Sequence, residues 1–152
     1  LMIHDVDLLI QMINCPIKEI IADGISVLSD NTDLANVKLI FENGTVANLT
    51  ASRISSKDMR KIRVFENKKY TSVDLLNKEV IEYSAQSVDQ QKLTFNHKNI
   101  TVKDGDALAS ELTHFCNCII NNDINTQNIK NAIEALRIAQ EINKVIYNKR
   151  VS

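Results

Sequence analysis

Glycine is scarce in this chain of 152 residues, occurring only at Gly24, Gly44 and Gly105. A dinucleotide pyrophosphate is held by closely spaced glycines that bring backbone N–H groups to a helix start. Neither G-x-G-x-x-G nor G-x4-G-K-[ST] can be written from these positions, so the residues present exclude a phosphate loop of either kind. A G-x-S-x-G nucleophile elbow and an H-E-x-x-H zinc helix are missing as well. Cysteine is sparse and odd in number (Cys15, Cys116 and Cys118). That argues against a disulfide framework, and the Cys116/Cys118 spacing is not that of a C-x2-C zinc knuckle. The expectation is buried free thiols in a reducing cytoplasm. Charge of one sign is lacking too: the formal net charge is -1 and the pI about 6.3. Nucleic acid and anionic membranes are therefore poor partners. No apolar run approaches the roughly 18 residues of a membrane span.

What remains is an ordinary globular balance, 44% hydrophobic and 24% charged, in a chain long enough for one domain with a core. Residues 1–13 read as a helix whose apolar stripe is Met2, Val6, Leu9, Ile10 and Ile13, with His4, Asp7, Leu8 and Gln11 on another face. The lone proline, Pro16, ends it. Residues 17–29 read as extended, with Gly24 a bulge or bend. Runs at 35–42 and 45–54 flank Asn43-Gly44, the preferred centre of a two-residue type I′ hairpin. Further strands are expected at 59–66, 69–76 and 79–84, split by Asn67-Lys68 and Asn77-Lys78, and a weaker hairpin at 92–96 and 99–103. Asp106 caps a helix to about 121 with Leu108, Leu112, Phe115 and Ile119 on its buried face. Thr126 caps a second, to about 147, whose apolar side is Ile129, Ile133, Leu136, Ala139 and Ile142. The order predicts an α+β fold: an open, mostly antiparallel sheet with helices on one face. Apolar residues on both faces of strands, Ile40 and Val46 among them, predict self-association through the sheet.

The most suggestive chemistry is His4-Asp5-Val6-Asp7. His4 and Asp7 are three apart on a helix and share a face. A carboxylate beside an imidazole fixes its tautomer and raises its basicity, which suits a general base taking a proton from a hydroxyl. A solvated surface histidine is the plainer reading of the same residues. His114 lies near Cys116 and Cys118, but these ligands point around different sides of one helix. His97 is expected in a solvated turn. Arg53, Arg60, Lys61 and Arg63 form a basic run, either solvated and cross-strand paired or an anion site for a phosphorylated or nucleotide-linked sugar. The chain opens on Leu1 inside an apolar-periodic segment, and the reading expects further residues upstream.

The opening Leu1-Met2-Ile3-His4-Asp5-Val6-Asp7 resembles the start of the second domain in the glucose–fructose oxidoreductase / inositol dehydrogenase (Gfo/Idh/MocA) family, where the segment reads D-x3-H-x2-D. His4 and Asp7 match its last two positions; the first aspartate would precede Leu1. Asp33 to Asn36, Phe41 to Arg53, Leu108 to Phe115 and Ala135 to Ala139 are similar to that family's central hairpin and closing helices, in order. The resemblance implies that residues 1–152 are a carboxy-terminal substrate-binding and oligomerisation domain. An amino-terminal Rossmann domain of roughly 120–150 residues, carrying G-x-G-x-x-G, would lie upstream. It implies hydride transfer between a sugar or polyol and NAD or NADP, with the cofactor held mainly by that other domain. His4 would be the acid/base or alcohol-positioning group, and Asp7 would orient it or bind a hydroxyl. The family's catalytic lysine is not in this chain, so the fragment alone is expected to be inactive. The region from Ala51-Ser52-Arg53 to Met59-Arg60-Lys61 is most similar to the branch acting on nucleotide-activated amino sugars, UDP-N-acetylglucosamine among them, with Arg53 and Arg60 as substrate-binding candidates. The alternative is a non-catalytic α+β dimerisation or sugar-binding module.

Overall fold

The computed structural model describes residues 2–89, 92–101, 105–123 and 126–151. The elements run α1 (Ile3–Ile13), β1 (Ile17–Ile25), β2 (Leu34–Phe41), β3 (Val46–Ser52), β4 (Lys61–Glu66), β5 (Lys69–Asp74), β6 (Glu79–Asp89), β7 (Lys92–Thr101), α2 (Ala107–Ile120) and α3 (Thr126–Val151). The expected α+β class holds, and every strand pairing is antiparallel. The strands form two sheets, ordered β1-β2-β3 and β4-β5-β6-β7. The chain divides into two compact units, residues 1–56 with 121–152, and residues 57–120.

The first unit holds the core. Registers Ala22↔Val37↔Leu49 and Ile20↔Leu39↔Ala47 put one set of small and branched side chains on a single sheet face. Val6 of α1 and Ala135, Ile138, Ile142 and Ile146 of α3 complete the cluster, with Leu39, Ile138 and Val6 fully buried. Each such branched side chain contributes about 2 kcal/mol by leaving water. The apolar stripe of α1 is as its spacing implies, and Asn14, in the left-handed conformation (φ 46°), closes the helix.

Gly24 is not a bulge. The irregularity of β1 falls between Ile17 and Glu19. Gly24 is instead a point of close approach, where a Cβ would sit 2.8 Å from both Ile146 Cγ2 and Thr32 Cγ2. The Asn43-Gly44 turn also differs. Only Gly44 has positive φ (85°), Gly44 N–H donates to Phe41 O, and Phe41 N–H donates to Thr45 O. This is a three-residue loop with the glycine as its left-handed residue, not a two-residue type I′ turn.

The second unit is a meander followed by α2. Residues 92–101 form one continuous strand opposite β6 rather than a hairpin, which moves His97 from a turn into β7, across from Tyr83; residues 102 and 103 lie outside the described residues. Asp106 caps α2 as expected, its Oδ1 accepting from Ala109 N–H at 3.1 Å. The stripe Leu108, Leu112, Phe115 and Ile119 is not buried: these side chains are 55–64% exposed. In α3, too, Ile129, Ile133 and Leu136 are exposed, and Ala135, Ile138 and Ile146 join Ile142 in the core instead. Helical period fixes which residues share a face, but α3 has apolar residues on two faces and period does not choose between them. Cys116 is exposed and Cys15 and Cys118 half-buried, all three as free thiols, which corrects the expectation of buried sulfur.

The close contact at Gly24 gives a stability test. Gly24→Ala should lower the unfolding free energy by about 1–3 kcal/mol through overpacking against Ile146. Gly105→Ala, where a Cβ meets nothing within 4 Å, should stay within about 0.5 kcal/mol in the same urea titration.

Candidate functional site

Burial of Val6 fixes the roll of α1. With that face turned inward, His4, Asp7, Gln11 and Asn14, spaced three, four and three apart, form a polar stripe on the outward side. His4 is exposed and Asp7 half-buried. Asp7 Oδ2 accepts from Gln11 Nε2 at 3.0 Å, one turn onward. Among the described residues no hydrogen bond joins His4 to Asp7, so the shared face is as read from the spacing while the partner of the carboxylate is Gln11. The far end of the stripe opens into a cleft of about 440 Å³ between α1 and α3, lined by Ile10, Gln11, Asn14, Gln127, Asn128 and Asn131.

Of the expected basic residues, Arg53 has internal partners. Its Nη2 lies 2.7 Å from Asp33 Oδ1 and 3.1 Å from Ser29 Oγ. Asp33, 4% exposed, is the centre of a clasp: its Oδ2 accepts from the backbone N–H groups of Val27, Leu28 and Ser29 at 2.7–3.1 Å. The N–H groups of Leu28 and Val27 hold its carboxyl well below the usual carboxylate range against the opposing effect of burial, and Ser29 adds to them. The sequence offers Asp33 only as the first residue of the stretch Asp33 to Asn36 in the family resemblance, without this role. Arg60 is exposed, just before β4. Lys61 lies 3.0 Å from Asp74 Oδ2, the cross-strand partner the plainer reading allows. The Asn77 backbone N–H, with the Lys61 ammonium, lowers the Asp74 carboxyl to about 2 against burial.

Periodicity also left unread an aromatic row. Phe65, Tyr70, Tyr83 and His97 are successive cross-strand partners on one face of the four-stranded sheet, with ring centroids 4.9, 5.8 and 4.8 Å apart. The first three rings stack on one another and His97 tilts against Tyr83; Phe65 is 75% exposed. His114 Nε2 is 3.6 Å from Cys118 Sγ along α2, and among the described residues no three metal-ligating side chains gather. No described helix is long and apolar enough to cross a membrane.

No family model matches the chain. It is 33% identical over 120 residues to a UDP-N-acetylglucosamine 3-dehydrogenase of Acidithiobacillus ferrooxidans, an alignment covering 78% of this chain and 38% of that relative. A solved structure of UDP-N-acetylglucosamine 3-dehydrogenase GnnA from the same species superposes with a TM-score of 0.83 at 29% identity, covering 96% of this chain and 45% of that one. A dehydrogenase (MviM) from Clostridium difficile (TM-score 0.70, 21% identity, 95% and 46% covered) and a levoglucosan dehydrogenase in complex with NADH and levoglucosan (0.67, 12%, 95% and 47%) share the fold. The chain thus spans less than half the length of the proteins it matches.

The Asp33 clasp has a definite pH signature. A carboxyl lowered by folding contributes stability that is complete above its unfolded value, about 3.9, and is lost as pH falls through the folded value. Asp33→Asn should lower the urea midpoint at neutral pH. The gap between wild type and variant should close as pH falls below about 4, in unfolding curves recorded across that range.

Proposed function

We propose that this chain, of the Gfo/Idh/MocA dehydrogenase type by sequence and fold, is the carboxy-terminal substrate-binding and oligomerisation domain of an NAD(P)-dependent oxidoreductase acting on a sugar. The substrate class we favour is a UDP-amino sugar such as UDP-N-acetylglucosamine, on the strength of the named relative. The observation that carries the reading is the outward polar stripe of α1, beginning with His4 and Asp7.

The residues of this chain do not fit a dinucleotide cradle. Gly24 is packed against Ile146, Gly44 turns a hairpin and Gly105 stands alone before α2. The nicotinamide, which would accept hydride from the carbinol carbon, is therefore assigned to a separate Rossmann domain. His4 takes the hydroxyl proton as the carbonyl forms and returns it in the reverse direction. Asp7, held by Gln11, offers a fixed carboxylate to a neighbouring sugar hydroxyl. Arg60 is proposed independently as a phosphate contact; Arg53, taken up by Asp33, keeps a structural task. The thiols and the near-neutral charge favour a cytoplasmic setting.

Self-association through the sheet is supported by the second unit, whose described residues contribute none to the buried apolar core and whose Phe65 and Tyr83 are exposed. Tyr83→Lys in the full-length protein should shift sedimentation to a smaller species; an unchanged coefficient would count against the sheet as the interface. His4→Ala in the full-length protein should reduce turnover of the UDP-sugar about 10²-fold or more, followed by nicotinamide absorbance. Unchanged turnover would favour the non-catalytic module.

A further inference from the structure

We propose that the cleft between the end of α1 and the start of α3 recognises the uracil base of a UDP-linked substrate. The inference rests on the reading above and adds to it a location for the part of the substrate farthest from the chemistry.

The lining is chemically unusual. Gln11, Asn14, Gln127, Asn128 and Asn131 all carry carboxamides, Ile10 supplies an apolar wall, and no charged side chain lines the cleft. An uncharged cleft gives a phosphate or a carboxylate nothing to pair with. A carboxamide presents a donor and an acceptor side by side. The complementary ligand edge also alternates donor and acceptor without charge. The imide edge of uracil does so, with N3–H between two carbonyls, and the ring's flat face suits the side of Ile10.

Internal hydrogen bonds pre-orient the lining. Gln127 Nε2 donates to Asn131 Oδ1 at 2.8 Å, which turns the Asn131 amide N–H groups away from that bond. Gln11 Nε2 donates to Asp7 Oδ2 at 3.0 Å, which leaves Gln11 Oε1 as an acceptor. Asn131 as donor and Gln11 as acceptor are the pair an imide edge requires, and ordering them beforehand lowers the cost of binding.

Length decides which part of the substrate reaches this place. At about 1.5 Å per residue, Gln11 and Asn14 lie about 10 and 15 Å along the helix axis from His4. That exceeds the reach of any substituent on a pyranose ring whose reacting carbon is at His4. It is within the span of a nucleoside diphosphate sugar, whose base stands beyond the sugar and the two phosphates. A free sugar or polyol would leave the cleft unused, so the carboxamides point to a nucleotide-activated substrate.

The test is calorimetric titration of the full-length protein with UDP, comparing wild type with Asn131→Leu and with the exposed-site variant Gln11→Leu, each checked for an unchanged urea midpoint. Losing one or two base hydrogen bonds should weaken UDP binding about tenfold or more in each variant. CDP, which reverses the donor and acceptor at the same ring positions, should bind the wild type more weakly than UDP. The turnover number at saturating UDP-sugar should be unchanged in Asn131→Leu, which leaves the Gln11–Asp7 bond intact, while its KM rises. UDP affinity equal in wild type and variants overturns the proposal and leaves the role of His4 standing. A wild-type protein that does not bind UDP overturns it as well, and whether His4→Ala still abolishes turnover of other sugars then tells the two readings apart.

Discussion

Everything in the first unit depends on the burial of one face of α1 against α3 and the three-stranded sheet. Val6 has no exposed surface, and Leu39, Phe41 and Ile138 around it have almost none. That packing leaves the helix a single roll angle. Because side chains three and four apart share a face, fixing Val6 inward fixes His4, Asp7, Gln11 and Asn14 outward as one line. The polar line is thus a consequence of the core, and a chemical site built on it inherits the rigidity of a fully buried contact rather than the freedom of a loop.

A second constraint operates at the opposite end of the sheet. Asp33 gathers the backbone N–H groups of Val27, Leu28 and Ser29 and is itself gripped by Arg53. One buried carboxylate replaces the hydrogen bonds that a bent segment between two strands could not make for itself. Its partner Arg53 is one of the two basic residues, with Arg60, that the sequence offers as ligands for anions. An arginine and an aspartate twenty positions apart cannot be paired by inspection, whereas an arginine within a run of basic residues stands out at once.

The α1 stripe, the hairpin order and the cap at Asp106 were legible because they follow from local rules: helical period, turn chemistry and a side chain accepting from the first free N–H groups. The tasks of Gly24, of the carboxamides and of the aromatic row were not. Each brings together residues distant in sequence: Gly24 against Ile146, Gln11 and Asn131 as lining of one cleft, Phe65 in a row with Tyr70, Tyr83 and His97 across four strands. The buried faces of α2 and α3 were misassigned for a related reason. Amphipathic spacing shows that a face is apolar, and only tertiary packing shows what covers it. The four-stranded sheet carries the same lesson at larger scale: β4 and β5 pair in regular register, yet most of their apolar side chains remain partly open to solvent.

Whether the outward face of α1 meets the substrate can be read from the imidazole resonances of the full-length protein, recorded by 1H–15N correlation as UDP-N-acetylglucosamine is added. The His4 signals should shift in a saturable manner while those of His97 and His114 stay in place. Signals of His4 that do not move at saturating ligand would contradict that contact.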